Sequence, residues 1–373
     1  MTDLLKDMLT DRADALDAPQ LDVAAMVRDG DRQAARRRNA VVGLGAAAAV
    51  VTAIAIPQLL PQPSQTAREF SYAGAFEAGE PSYAVGSRVT IDGHTFDTGH
   101  DVHAMVQTTE GVVFTDKEGV VRAADGQETT RIGQSTTSRD FFALETDGSL
   151  VAWIEERPGR GPIFTAFDQA TGEAKTLDYV VRTVGTEYSP DLWAVDGDDV
   201  WLRDDRGVVR WNVATGEQTE LGAPRGLEIH DVKAGVIAYE QQLVGQPETP
   251  LRFSRDGSVP FGGTPTAMLS DVVTLSPDGA TALGEDEPDH PALADTATGQ
   301  VTPLQVPDGY DFFTGYGWAD ADTFVGLGLN QPWDSTPADL LTCEVGGACR
   351  VTAEDVGTQD GGFVIPVGRP MDD

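Results

Sequence analysis

The chain has 373 residues, and its 60 Asp and Glu against 26 Lys and Arg leave a formal net charge of −34 at pH 7. Acid in that excess repels nucleic-acid phosphate, so no polynucleotide partner is expected. Only Lys6, Lys117, Lys175 and Lys233 are lysines, and the charge is uneven: residues 1–39 hold seven basic and eight acidic side chains, 40–67 hold neither, and 68–373 hold 19 and 52.

Residues 2–16 place Leu4, Leu5, Met8, Leu9 and Leu16 at helical spacing behind a capping Thr2, which predicts an amphipathic helix. A second short helix is predicted over Val23–Val27. Two such helices form no stable core alone, so their apolar stripe either stays frayed or docks on a partner, a cytoplasmic protein being the expected one. The aspartates at 3, 7, 11, 14 and 17 disfavour an anionic membrane surface.

The uncharged run from Ala40 to Ile56, extended by Pro57–Leu60, reaches about the 20 residues that cross a bilayer. Arg32, Arg36, Arg37 and Arg38 flank it on the N-terminal side, which by the positive-inside bias leaves residues 1–39 in the cytoplasm and exports the remainder. The expectation is a retained single-pass plasma-membrane anchor over residues 40–60, with a linker over 61–79. A cleaved signal peptide, with Ala53-Ile54-Ala55 spaced for cleavage, and a buried helix are the alternatives.

Beyond Arg68 the helical period gives way to short runs of Val, Phe, Tyr, Trp and Thr separated by Asp-Gly and Thr-Gly turns, an all-β pattern. The turns recur: Gly126, Gly172, Gly216, Gly257, Gly299 and Gly347 lie 46, 44, 41, 42 and 48 residues apart. A period of about 40–45 residues with four strands per unit is that of β-propeller blades. The clearest unit offers four strands over 192–195, 200–203, 208–212 and 218–221. Six units run from Val102 to about Glu354. A hairpin over Arg88–Phe96 and a last strand over Gly362–Val367 are expected to complete a seventh, with six blades as the second choice. The propeller is bounded at 80–367 and followed by a tail, 368–373.

The Ser276-Pro277-Asp278-Gly279 turn and the Asp-x-x-Thr-Gly turns ending at Gly172 and Gly299, with Asn212–Gly216 a close variant, resemble those of WD-repeat and TolB-like β-propellers. The resemblance covers roughly residues 80–367 and implies architecture, since these residues shape turns. No blade carries the complete Trp-Asp and Gly-His signature.

Catalytic motifs are missing: there is no Gly-x-Ser-x-Gly elbow, His-Glu-x-x-His, phosphate loop or dinucleotide fingerprint, so neither enzymatic activity nor a cofactor is expected. His100, Asp101 and His103 lie close together, but in a strand the two imidazoles point to opposite faces, and ordinary histidines are the preferred reading over a metal site. Glu285, Asp286, Glu287 and Asp289 beside His290 read as a solvated acidic loop rather than a calcium site. Of the six tryptophans, most fall in predicted strands as packing residues, and Trp333, in the loop 330–334, is the candidate ligand contact. Cys343 and Cys349 flank a Val345-Gly346-Gly347 turn and are expected to form a disulfide across the third and fourth strands of the last full blade.

Short cytoplasmic helices, one span and an exported domain together resemble the layout of bacterial membrane-bound anti-sigma factors, which implies a sigma factor or similar regulator as cytoplasmic partner. The His and Cys-x-x-Cys zinc motif of many of them is absent. The expected function is a membrane-displayed, non-catalytic propeller that binds a protein, glycan or small ligand. The alternatives are a transmembrane regulator of the anti-sigma type and an exported propeller hydrolase or oxidoreductase. Clustered carboxylates and a shifted histidine in the central funnel would favour the last.

Overall fold

The computed structural model describes residues 70–370, apart from 136–143, 158–160, 182–189, 223–226, 242–249, 256–265, 268, 288–289, 333–334 and 359–360. The chain divides into residues 1–67, which lie outside the described residues together with the helices expected there, and a unit over Arg68–Asp373.

That unit is a ring of seven four-stranded antiparallel sheets. Blade 1 begins with its innermost strand, Ala104–Gln107, and the innermost strands of blades 2 to 6 are Glu145–Asp147, Asp191–Asp196, Leu227–Lys233, Ser270–Leu275 and Phe312–Trp318. Each chain segment then steps outward through three further strands. Blade 3 is the unit most legible in sequence, and its strands run Asp191–Asp196, Asp199–Asp204, Gly207–Asn212 and Gln218–Gly222. Its innermost strand is buried on both faces, because another blade lies on either side, whereas its outermost strand alternates between half-buried and exposed. This is why 192–195 reads as a continuous apolar run.

Each neighbouring pair of blades shares one apolar cluster. Val113, Val121 and Trp153 join blades 1 and 2; Ile154, Phe164, Leu202 and Trp211 join blades 2 and 3; Trp193, Trp201, Ile229 and Tyr239 join blades 3 and 4. Phe253 with Leu275, Leu283 with Phe313 and Phe324, and Leu327 with Phe363 and Ile365 continue the ring through blade 7. Ala84, Ile91, Met105 and Phe114 close it between blades 7 and 1.

The seventh blade joins the two ends of the unit. Its innermost strand is the C-terminal Phe363–Val364, and its outer three are Ser82–Val85, Arg88–Ile91 and His94–Asp97, with Ala84 opposite Val364 and Val85 opposite Phe363. The expected hairpin is thus a three-stranded meander. Ser82–Val85 is too short to stand out in sequence and acquires its inner partner only from the far end of the chain. A six-residue helix, Tyr72–Glu77, falls in the segment expected to be a linker. Ser71 caps it, and Ala75 and Phe76 are buried in the cluster of blades 7 and 1, so tertiary packing rather than propensity holds it.

The membrane expectation is corrected. Among the described residues no helix is long and apolar enough to cross a membrane. The single helix described there has six residues, about 9 Å at 1.5 Å per residue against the roughly 30 Å of a bilayer core. Residues 40–60 lie outside the described residues. Plasma-membrane anchoring and the topology built on it are therefore set aside.

The repeated turns follow one hydrogen-bond scheme. At Asp295 one carboxylate oxygen accepts from the Ala297 and Thr298 amides at 3.0 and 2.8 Å and from the Thr298 hydroxyl at 2.9 Å, while the Gly299 amide donates to the Asp295 carbonyl at 2.7 Å. The Thr298 hydroxyl and amide hold this carboxyl below the usual carboxylate range. Asp168 and Asn212 hold the equivalent threonines, Thr171 and Thr215. In the Ser276–Gly279 turn Ser276 donates to Asp278 at 2.7 Å, and Gly279 has φ +67°. A Cβ at Gly279 would lie 2.6 Å from the Lys233 carbonyl of blade 4, so glycine here allows both the turn and the blade contact.

Cys343 and Cys349 are bonded directly across the third and fourth strands of blade 6. The bond closes a short loop, with a sequence separation of 6. The double substitution Cys343→Ser, Cys349→Ser is expected to lower stability by roughly 2 kcal/mol in the chain-entropy account, with the fold retained. Urea denaturation with and without reductant measures it. A wild-type midpoint unmoved by reductant, with labelling confirming free thiols, would reject the expectation.

Candidate functional site

The innermost strands converge on a central channel. At their C-terminal ends lies a cavity of about 450 Å³, walled by residues of blades 1, 2, 4, 5, 6 and 7 and by the segment 76–79. The C-terminal segment runs alongside: Gly368 donates to the Met105 carbonyl at 2.8 Å and accepts from the Leu144 amide at 3.1 Å. Gly368 has φ +75°, and a Cβ there would lie 2.0 Å from the Leu144 carbonyl oxygen.

Lys233, at the end of the innermost strand of blade 4, is the hub of the polar wall. Its ammonium donates to the Thr146 carbonyl at 3.2 Å, the Asp147 carboxylate at 3.0 Å and the Val195 carbonyl at 2.9 Å. Those partners come from blades 2 and 3, so one side chain links three blades and all three of its protons are placed. Burial opposes its charge, but Asp231, Asp147 and Glu145 outweigh burial and raise its pKa.

Asp231 sits two residues earlier, beyond a register shift between Ile229 and Asp231. Its two oxygens accept from the Val232 amide and from the Leu275 amide of blade 5, both at 2.7 Å. Burial raises its pKa against the opposing pull of Lys233 and those amides. His230, in the same bulge, places Nε2 3.6 Å from Glu240.

Glu145 differs from these groups. It lines the cavity from blade 2, and its carboxylate makes no hydrogen bond or ion pair with a described residue. Burial, with the charge of Asp231 added, raises its pKa well above the usual value, and Lys233 and Arg369 offset this only in part. Tyr316 of blade 6 also lines the cavity, and its buried hydroxyl has no partner among the described residues. Burial raises its pKa. Trp318, two residues on, is held by an edge contact with Phe324 at 5.9 Å and a long hydrogen bond from Nε1 to the Thr274 carbonyl at 3.4 Å.

The residues singled out in sequence lie elsewhere. His100 and Asp101 are exposed between blades 7 and 1, and the His103 amide donates to the Thr115 carbonyl at 2.8 Å. Glu285, Asp286 and Glu287 end the second strand of blade 5 and His290 begins the third, while Asp289 lies outside the described residues. Among the described residues no group of three His, Cys, Asp or Glu is arranged to hold a metal ion. Trp153, Trp193, Trp201 and Trp211 are buried between blades, as packing residues. Trp333 lies outside the described residues.

No family model matches the chain, and no curated protein matches it. Solved structures do. TolB from Acinetobacter baumannii is similar at 13% identity and a TM-score of 0.39, over 67% of this chain and 65% of TolB, so the chain spans just under two thirds of that protein. An oligogalacturonate lyase from Vibrio parahaemolyticus is similar at 10% identity and a TM-score of 0.43, over 67% of this chain and 88% of the lyase. An oligogalacturonate lyase in complex with manganese is similar at 16% identity and 0.39, over 65% and 71%. The fold assignment rests on the seven four-stranded sheets themselves. This chain is a seven-bladed β-propeller.

Sequence reasoning passed over Glu145, Asp231, Lys233 and Tyr316 because they are far apart in the chain and match no motif. One signal was present: Lys233 is one of four lysines in a chain of net charge −34, set in the run His230-Asp231-Val232-Lys233.

Proposed function

We propose that the propeller is a non-catalytic binding protein that takes a small ligand in the cavity at the C-terminal ends of its innermost strands. The observation that carries this is how the ionisable groups of the channel are occupied. Asp231 accepts two backbone amides and Lys233 donates to three fixed acceptors, so both hold blades together. A hydrolase built on paired carboxylates needs both of them available to substrate and water. Here the carboxylate clustering that would favour a hydrolase is explained by blade-to-blade bonding, and of the carboxylates around Lys233 Glu145 is the one left to face a ligand. A volume of about 450 Å³ suits a compact molecule, within the usual range of small-ligand sites.

Gly317 provides the test. It lines the cavity, and a Cβ built on it meets nothing within 4 Å, so a larger side chain enters the cavity without a backbone clash. The full chain is screened by thermal shift and calorimetry against small saccharides, amines and carboxylates, beside Gly317→Leu, with the recovered ligand analysed by mass spectrometry. A ligand that raises the wild-type melting temperature, returns unchanged and no longer binds Gly317→Leu is the expected result. Conversion of the ligand would overturn the non-catalytic reading, and equal binding to Gly317→Leu would overturn the site.

A further inference from the structure

We infer that the cavity selects an organic ammonium, a positively charged amine on an apolar body, which Glu145 pairs with while Trp318 and Tyr316 cover the apolar part. This rests on the channel being a ligand site and adds the class of ligand.

Three carboxylates, Glu145, Asp147 and Asp231, face the region around Lys233, and the ammonium bonds only to Asp147 among them. Its other two protons go to the carbonyls of Thr146 and Val195, so none remains for Glu145. Arg369 acts on Glu145 electrostatically and offsets its burial only in part. Glu145 is half-buried in the cavity wall, and a carboxylate partly withdrawn from water with no donor is relieved by a ligand N–H of positive charge where a neutral or anionic ligand does less.

The remaining wall supports the same chemistry. Tyr316 has a buried hydroxyl without a partner among the described residues, and Tyr316 and Trp318, both half-buried, line the same cavity. Aromatic faces attract a cation and pack against an alkyl or aryl body. The field of a unit carrying a net −33 over residues 68–373 draws cations toward the channel and repels uronates and other anions. A bare metal ion is a poor fit, since among the described residues no three suitable ligands converge.

Calorimetry of the full chain with three isosteric probes separates the classes: 2-phenylethylamine, 2-phenylethanol and phenylacetate. The amine is expected to bind about 10- to 100-fold more tightly than the alcohol, the range a charge-assisted hydrogen bond provides, with phenylacetate weakest. Glu145→Gln keeps the shape, and it is expected to abolish the preference for the amine while leaving the affinity for the alcohol within about threefold. Unchanged melting behaviour confirms that the variant folds. Equal affinity for amine and alcohol, or a preference that survives Glu145→Gln, overturns the inference. If none of the three binds while a neutral saccharide binds in a manner blocked by Gly317→Leu, the ligand class is wrong and the binding site stands. If the amine binds wild type and Gly317→Leu alike, both fall.

Discussion

Replacing Lys233 with methionine is expected to lower the free energy of unfolding by about 3–5 kcal/mol, the cost of removing one partner from a buried charge network. The variant loses hydrogen bonds to two carbonyls and a carboxylate at once, and it leaves Asp231 and Glu145 without their shared countercharge. For a unit of about 300 residues this amounts to roughly 5–8 °C in Tm. The pH dependence gives the sign of the mechanism. The folded-state pKa values of Glu145 and Asp231 are raised, so these carboxyls take up protons in the folded protein before the unfolded chain does, and their contribution to stability grows as pH falls toward the ordinary carboxylate range. The penalty of Lys233→Met is therefore expected to shrink between about pH 8 and pH 5, because protonated carboxyls need no countercharge. Lys233 itself, with a raised pKa, stabilises below its unfolded value and ceases to do so only at strongly alkaline pH. Urea denaturation at the two pH values measures both effects. A loss under about 1 kcal/mol, or one that does not vary with pH, would show that the ammonium is not the hub of the channel wall.

Ending the chain at Gly361 is expected to have a still larger effect. It removes Phe363, Val364 and Ile365, all at most 5% exposed, whose burial is worth about 5–9 kcal/mol in total. It also strips the inner partner from Ser82–Val85 and the bonds of Gly368 to blades 1 and 2. Seven interfaces become six, and blade 7 retains only the three strands near the start of the unit. The truncated chain is expected to melt well below wild type, with limited proteolysis entering first over residues 82–97. Adding a peptide of residues 361–373 in trans is expected to restore part of the melting temperature. Gly368→Val, which collides with the Leu144 carbonyl but leaves the strand in place, is expected to have a smaller effect. A truncated chain that melts with wild type would show that the C-terminal strand does not close the ring.

The repeat could be read because each blade solves the same local problem. Turn residues at Asp168, Asn212, Ser276–Gly279 and Asp295 bond to their own backbone within a few positions, so the chemistry is written in adjacent letters and recurs at the blade period. The same holds for Cys343 and Cys349, which a two-strand hairpin brings together without help from any other blade. The helix Tyr72–Glu77 and the strand Ser82–Val85 were illegible for the opposite reason: each is too short to form alone, and each is stabilised by residues from another part of the ring.

Local sequence alone determined the all-β character, the blade period, the four strands of each unit, the hairpin turns and the disulfide, because these depend on contacts between residues near in the chain. Only the tertiary structure decided how the ring closes, which carboxylates meet at Lys233, and that Glu145 and Tyr316 share one cavity. Those features join side chains from blades 2, 4 and 6, separated by up to four repeats. Ring closure brings them within reach of one another, and no local pattern encodes that distance.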